Sequence, residues 1–288
     1  MFTGTFTALI TPFNATGGID YGCLSALVEQ QVAGGVDGVV PIGTTGECPT
    51  IGVEEHLRII ETVVAAAARR IKVIAGAGAN STDEAIELTR EAKTVGADAA
   101  LQVTPYYNKP NQEGLYRHFS AIADLGLPVM LYNVPGRTGR DIAVETIARL
   151  AAHPCIVAVK EAAGDANRVS LIRAACDIAV LSGDDSLTLP MMSVGAVGVV
   201  SVVSNLLPRE VSDMVRFALA NDYAKAQVLH RKLYPLSRDL FIDSNPIPVK
   251  YAMARLGHCL ETYRLPMCEL SAQHKALLDA TLKELGLI

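Results

Sequence analysis

Eight short runs rich in apolar and β-branched residues recur along the chain, and the stretches between them carry helical periodicity. The runs are FTALI (6–10), GVVPIGTT (38–45), KVIAGAG (72–78), AALQVTP (99–105), PVMLYNVP (128–135), IVAVKEA (156–162), AVLSGD (179–184) and GVVSVVS (198–204). Near-continuous apolar strands are buried on both faces, which means parallel strands covered by helices. Eight such units in about two hundred residues predict an α/β fold of the (β/α)8 barrel type. A doubly wound sheet is the competing architecture. Its G-x-G-x-x-G fingerprint is missing, because GAGANS (76–81) has serine where the third glycine belongs.

The helical stretches include GVEEHLRIIETVVAAAARR and STDEAIELTREAKTVGA, the second opening with an N-cap at Ser81 or Thr82 and acidic residues in its first turn. Beyond Ser204 the pattern stays helical, interrupted at SNPIPV (244–249) by its prolines. Residues 1–224 are therefore expected to form the barrel that carries the active site. Residues 225–288 are expected to form a C-terminal helical region packed on it.

The net charge of −5 leaves no basic surface for nucleic acid or anionic lipid. Ser186 to Pro208 carries no charge and is long enough to span a bilayer, but Pro190, Asn205, two glycines and several valines favour a helix, a turn and a buried strand. The six cysteines show neither CxxC pairing nor disulfide-like spacing and read as reduced thiols. MFTGTFTALITPF has no basic n-region and reaches a proline early, so no signal peptide is expected and the location is read as cytoplasmic.

A (β/α)8 barrel places its chemistry at the carboxyl ends of its strands. Here those ends carry Gly43-Thr44-Thr45-Gly46-Glu47, Thr104-Pro105-Tyr106-Tyr107-Asn108, Tyr132-Asn133-Val134-Pro135, Lys160 and Ser182-Gly183-Asp184-Asp185. Hydroxyls, phenols and one amine converge on one rim. The two aspartates would repel a phosphate, so the substrate is expected to be unphosphorylated. His56, His118, His153, His230, His258 and His274 form no HxH or HExxH pair, so no metal site is expected, and no GxSxG is present. What remains is amine chemistry. Apolar surroundings disfavour an ammonium and favour the neutral amine, which can condense with a ketone to an imine. The protonated imine is an electron sink, so carbon–carbon bonds can form without a metal or another cofactor. A nearby tyrosine, polarised by a hydroxyl, would carry the proton.

FTGTFTALITPF, GTTGE, TPYYNKP, YNVPGRTG, VAVKEAAGD, SGDD and NPIPVK together resemble the class I pyruvate aldolases of the dihydrodipicolinate synthase and N-acetylneuraminate lyase superfamily, over nearly the whole chain. GTTGE with YNVPGRT resembles the synthase branch. The resemblance implies condensation of pyruvate with L-aspartate-4-semialdehyde and cyclisation, the committed step towards diaminopimelate and lysine. It implies Lys160 as the Schiff-base lysine and Tyr132 as general acid/base, linked through Thr44 to Tyr107. Thr45 would hold the pyruvate carboxylate with backbone near Val200, the Gly183 carbonyl would line the same pocket, and Arg137 would meet the aldehyde's carboxylate. His56, Asn80, Glu84 and Tyr106 match an inhibitory L-lysine site between subunits, where Cys48 and Val53 depart from the commoner polar residues. A homotetramer of two tight dimers is implied, with Tyr107 crossing the tight interface into the neighbour's relay. Two other readings compete: another pyruvate lyase, acting on N-acetylneuraminate or a keto-deoxy-sugar acid, and a non-catalytic keto-acid sensor. The lyase would not need Arg137 followed by Thr138, and the sensor should have lost part of the relay.

Overall fold

The computed structural model describes residues 2–288. Eight parallel strands, β1 (Gly4–Ala8), β2 (Gly38–Val40), β3 (Lys72–Gly76), β4 (Ala99–Val103), β5 (Val129–Asn133), β6 (Ile156–Glu161), β7 (Ala179–Ser182) and β8 (Gly198–Ser201), pair in chain order. β8 closes on β1 through Gly4↔Gly198 and Phe6↔Val200, so the sheet is a (β/α)8 barrel. The strands are buried almost throughout, which is why they read as unbroken apolar runs.

The expected runs overshoot the strands at their carboxyl ends, for local backbone reasons. β2 stops at Val40 because Pro41 has no N–H to give the ladder and Ile42 takes a left-handed φ of 52°. β4 stops at Val103, two residues before Pro105. β1 lies two residues earlier than FTALI, pairing with β8 from Gly4. Each overshoot is a segment that leaves the sheet to build the rim.

Ser81 is the N-cap of the helix Thr82–Thr94, its Oγ accepting from the Glu84 N–H at 3.5 Å. The uncharged stretch from Ser186 folds as the helix Thr188–Ser193, β8 and a short turn at Val203–Asn205. Among the described residues no helix is long and apolar enough to cross a membrane. The helix Pro208–Leu219 covers β1, and the helix Tyr223–Asp239, which contains the expected boundary at 224/225, packs along it. The helices Ile247–Arg255 and Ala272–Glu284 follow, and the first of them reaches the segment after β2 through the Lys250–Glu47 pair.

Candidate active site

Strands β5 and β6 are in register so that Tyr132 pairs with Lys160 and Asn133 with Glu161. Paired positions on parallel strands project to the same side, and successive residues to opposite sides. Lys160 and Tyr132 are each only 6% exposed, and the Lys160 Nζ stands 4.2 Å from the centre of the Tyr132 ring. A lysine merely reaching water from a strand end would not sit this way. Gly183 makes room for it: a Cβ there would come within 3.1 Å of the Lys160 Cε and 2.6 Å of the Ala162 Cβ.

The opposite side of the same two strands carries a polar lock. Asn133 Nδ2 donates to Glu161 Oε1 at 2.9 Å and to Asp141 Oδ1 at 2.8 Å. Arg168 donates Nε to Glu161 at 2.9 Å, Nη1 to Asp141 at 2.8 Å and Nη2 to the Ile142 carbonyl at 2.8 Å. Burial pushes the Glu161 carboxyl up against the pull of Arg168. This lock fixes the β5–β6 register, and with it the spacing of Tyr132 and Lys160. The sequence reading missed it, although an acid directly after a buried lysine was its visible signal.

The SGDD segment divides its labour. Asp185 is buried and accepts from the backbone N–H groups of Val202 (2.8 Å) and Val203 (3.2 Å) and from the Ser201 hydroxyl, tying the β7 end to β8. It is therefore a structural acceptor rather than half of a phosphate-repelling pair. Burial raises the Asp184 carboxyl, with the Lys160 charge acting in the opposite direction.

GTTGE forms a tight turn at Thr44–Gly46, held by the Thr11 hydroxyl on the Gly46 carbonyl at 2.7 Å. Glu47 leaves the turn at a φ of 57° and its carboxylate accepts from Lys250 Nζ at 2.5 Å, both side chains fully buried. Burial lowers the Lys250 amine and Glu47 opposes this. The centre of the Phe13 ring lies 4.0 Å from the Lys250 Nζ. Thr45 accepts from Asn245 Nδ2 at 2.9 Å, and the Asn245 carbonyl accepts from Arg137 Nη2 at 3.2 Å. The sequence reading gave no role to Asn245, Glu47 or Lys250, although NPIPVK was among its motifs.

A cavity of about 200 Å³ opens among Thr44, Leu101, Tyr106, Tyr132, Arg137 and Thr138. Thr45 is buried beside it on the same turn, and Val200 is fully buried on β8 against β1. Tyr107 does not join the cavity of its own chain: it is 92% exposed, at a φ of 70°. Tyr106 and Tyr107 part company through that left-handed residue rather than through strand alternation.

A second cavity of about 150 Å³ lies between Val53, His56, Ala79, Glu84, Leu88 and Tyr106. His56 Nε2 meets the Gly76 carbonyl at 2.7 Å, and a carbonyl only accepts, so Nε2 carries the proton. Its Nδ1 lone pair is buried without a partner, and burial lowers the imidazole below its ordinary value. Asn80 does not line this cavity; its Nδ2 holds the Tyr106 carbonyl at 3.3 Å, and its own carbonyl accepts from Asn108 at 2.8 Å. Cys48, Pro49, Gly76, Gly78 and Tyr106 border both cavities. Burial pushes the Cys48 thiol up to about 11, so it is protonated at neutral pH.

A sequence profile of the dihydrodipicolinate synthetase family matches residues 1–285. The chain belongs to that family. Among members of the dihydrodipicolinate synthetase family, the 4-hydroxy-tetrahydrodipicolinate synthase of Geobacter metallireducens is 50% identical over 291 residues, all of both chains. A solved chloride-inhibited dihydrodipicolinate synthase from Acinetobacter baumannii, in complex with pyruvate, is 46% identical over all of both chains with a TM-score of 0.98. The enzyme of Cyanidioschyzon merolae, solved with lysine bound, is 41% identical over 100% of this chain and 99% of its own, with a TM-score of 0.97.

Proposed function

We propose that this chain carries out the 4-hydroxy-tetrahydrodipicolinate synthase reaction, condensing pyruvate with L-aspartate-4-semialdehyde, as its relatives are named to do. It is a lyase of lysine biosynthesis through diaminopimelate. The observation that carries the assignment of residues is the buried Lys160 amine over the Tyr132 ring, with Tyr132 lining a cavity that Thr44 and Arg137 share. Lys160 attacks the pyruvate ketone and loses water to form the imine, the electron sink, so no separate cofactor is required. Tyr132 takes a proton from the adjacent methyl carbon, giving an enamine that adds to the aldehyde. Thr44 links Tyr132 to a tyrosine hydroxyl, Thr45 holds the pyruvate carboxylate with the Val200 backbone and the Gly183 carbonyl closing around it, and the Arg137 fork takes the carboxylate of the aldehyde substrate. The amine of the adduct then closes the ring and frees Lys160.

Arg137 and Thr138 both line the cavity, which favours a carboxylate-bearing aldehyde over the sugar substrates of the related lyases. The second cavity is read as the seat of L-lysine as inhibitor, since Glu84 and the free His56 Nδ1 offer acceptors to an ammonium group. The Cyanidioschyzon merolae relative binds lysine. A homotetramer of two tight dimers, with the partner's copy of Tyr107 completing each relay, accounts for a tyrosine left exposed by its own chain. Pyruvate followed by borohydride should add mass at Lys160 and nowhere else. Peptide mapping that finds Lys160 unmodified in active protein ends the imine reading.

A further inference from the structure

We infer that Asn245 is a positioning residue that sets the direction of the Thr45 hydroxyl proton and joins the two substrate-holding groups. This rests on the reading of Thr45 as the holder of the pyruvate carboxylate. Asn245 is 5% exposed and Thr45 is 3% exposed, so both side chains are withdrawn from bulk solvent and depend on near neighbours for partners. The Asn245 Nδ2–H occupies a lone pair of Thr45 Oγ1 at 2.9 Å, and the hydroxyl makes no other hydrogen bond among the described residues. Its own proton is thereby left free to donate, which is what a carboxylate requires of it.

The other end of the amide shows that this orientation is costly. Asn245 Oδ1 is buried with no hydrogen-bond partner. Turning the amide over would let Oδ1 accept the Thr45 proton, but would take that proton away from the substrate and leave Nδ2 unpartnered instead. An unsatisfied buried acceptor is rare and calls for a reason. Here the reason is that a donor must be delivered to Thr45. The backbone carbonyl of the same residue accepts from Arg137 Nη2 at 3.2 Å, so one residue of the C-terminal region braces both the pyruvate side and the aldehyde side. The two braces are separable, because the first uses the side chain and the second the main chain.

Asn245→Asp is the informative variant, being isosteric while replacing the donor with an acceptor that captures the Thr45 proton. Steady-state kinetics varying each substrate should show the pyruvate KM raised about tenfold, the loss of one hydrogen bond to a charged group. The KM for L-aspartate-4-semialdehyde should stay within about twofold, since the Arg137 contact survives on the backbone. On a Thr45→Val background N245D should raise the pyruvate KM no further, an outcome that general loosening of the fold would not produce. Where N245D does not fold, Asn245→Ala is scored by the same three criteria. A pyruvate KM within twofold of the parent, or losses that multiply in the double variant, overturns the proposal. Absence of borohydride trapping at Lys160 in the unsubstituted protein would instead overturn the function on which it rests.

Discussion

At the scale of single residues, Lys160 and Arg137 differ in how far the sequence could place them. Lys160 was legible because an amine closing the run Val157-Ala158-Val159 has no cheap explanation when hydroxyl-rich strand ends surround it. Its spacing to Tyr132 follows from strand register, which no local pattern encodes. Arg137 was named from the segment YNVPGRT, yet it is an exposed residue whose guanidinium is tied to the Asn245 carbonyl across a long sequence separation. Replacing it with alanine should cost a charge-assisted carboxylate contact, about 1.5–3 kcal/mol, hence a ten- to hundredfold loss of turnover with aspartate semialdehyde. Imine trapping by pyruvate should survive. If trapping fails as badly as turnover, Arg137 serves the fold or the first substrate.

Among elements, the decisive one is the wall between the two cavities. It consists of the turn after β2, carrying Cys48 and Pro49, the β3 end with Gly76 and Gly78, and Tyr106 after β4. Gly76 is glycine by necessity, since a Cβ there would lie 2.1 Å from the Ile42 carbonyl oxygen. The two cavities thus share these residues, so an occupant of either meets groups that border the other. L-Lysine should bind and inhibit, and Glu84→Ala with His56→Ala should relieve inhibition without abolishing catalysis. Glu84, Tyr106 and the protonated thiol of Cys48 also face this cavity, and the unpartnered His56 Nδ1 stops accepting once it is protonated. Because burial depresses the imidazole below 6.5, it is neutral at pH 7 and gains its proton only as pH falls past that value. Lysine affinity measured by calorimetry should therefore hold near neutrality and weaken on acidification. No binding at millimolar lysine removes the regulatory role, and affinity that rises as pH falls removes His56 from it.

For the whole molecule, two assemblies of groups bring distant chain segments to one rim. The Glu47–Lys250 pair seals the C-terminal helices onto the GTTGE turn, and removing either partner would strand a buried charge at about 3–5 kcal/mol. Tyr107 points out of its own chain, and in the relay proposed above it would serve a second copy. Tyr107→Phe and Lys160→Ala proteins, each inactive alone, should recover activity when mixed under subunit exchange. A mixed dimer would hold one site with both lesions and one with neither. Verified exchange without recovery would place Tyr107 in the relay of its own chain.

The sequence by itself determined the barrel, because eight buried strands alternating with helices have few other ways to cover both faces of a sheet. It also determined the kinds of groups on the rim, since those stand at strand ends that proline and glycine mark. Only the tertiary structure decided how they meet. The Asn133–Glu161–Arg168 lock, the Asn245 brace on Thr45 and the Glu47–Lys250 pair all join residues whose closeness depends on barrel closure and helix packing. Burial makes such pairs matter, because a polar group removed from water must find its partner within the fold. Local sequence records the polar group, and the closed barrel supplies the partner.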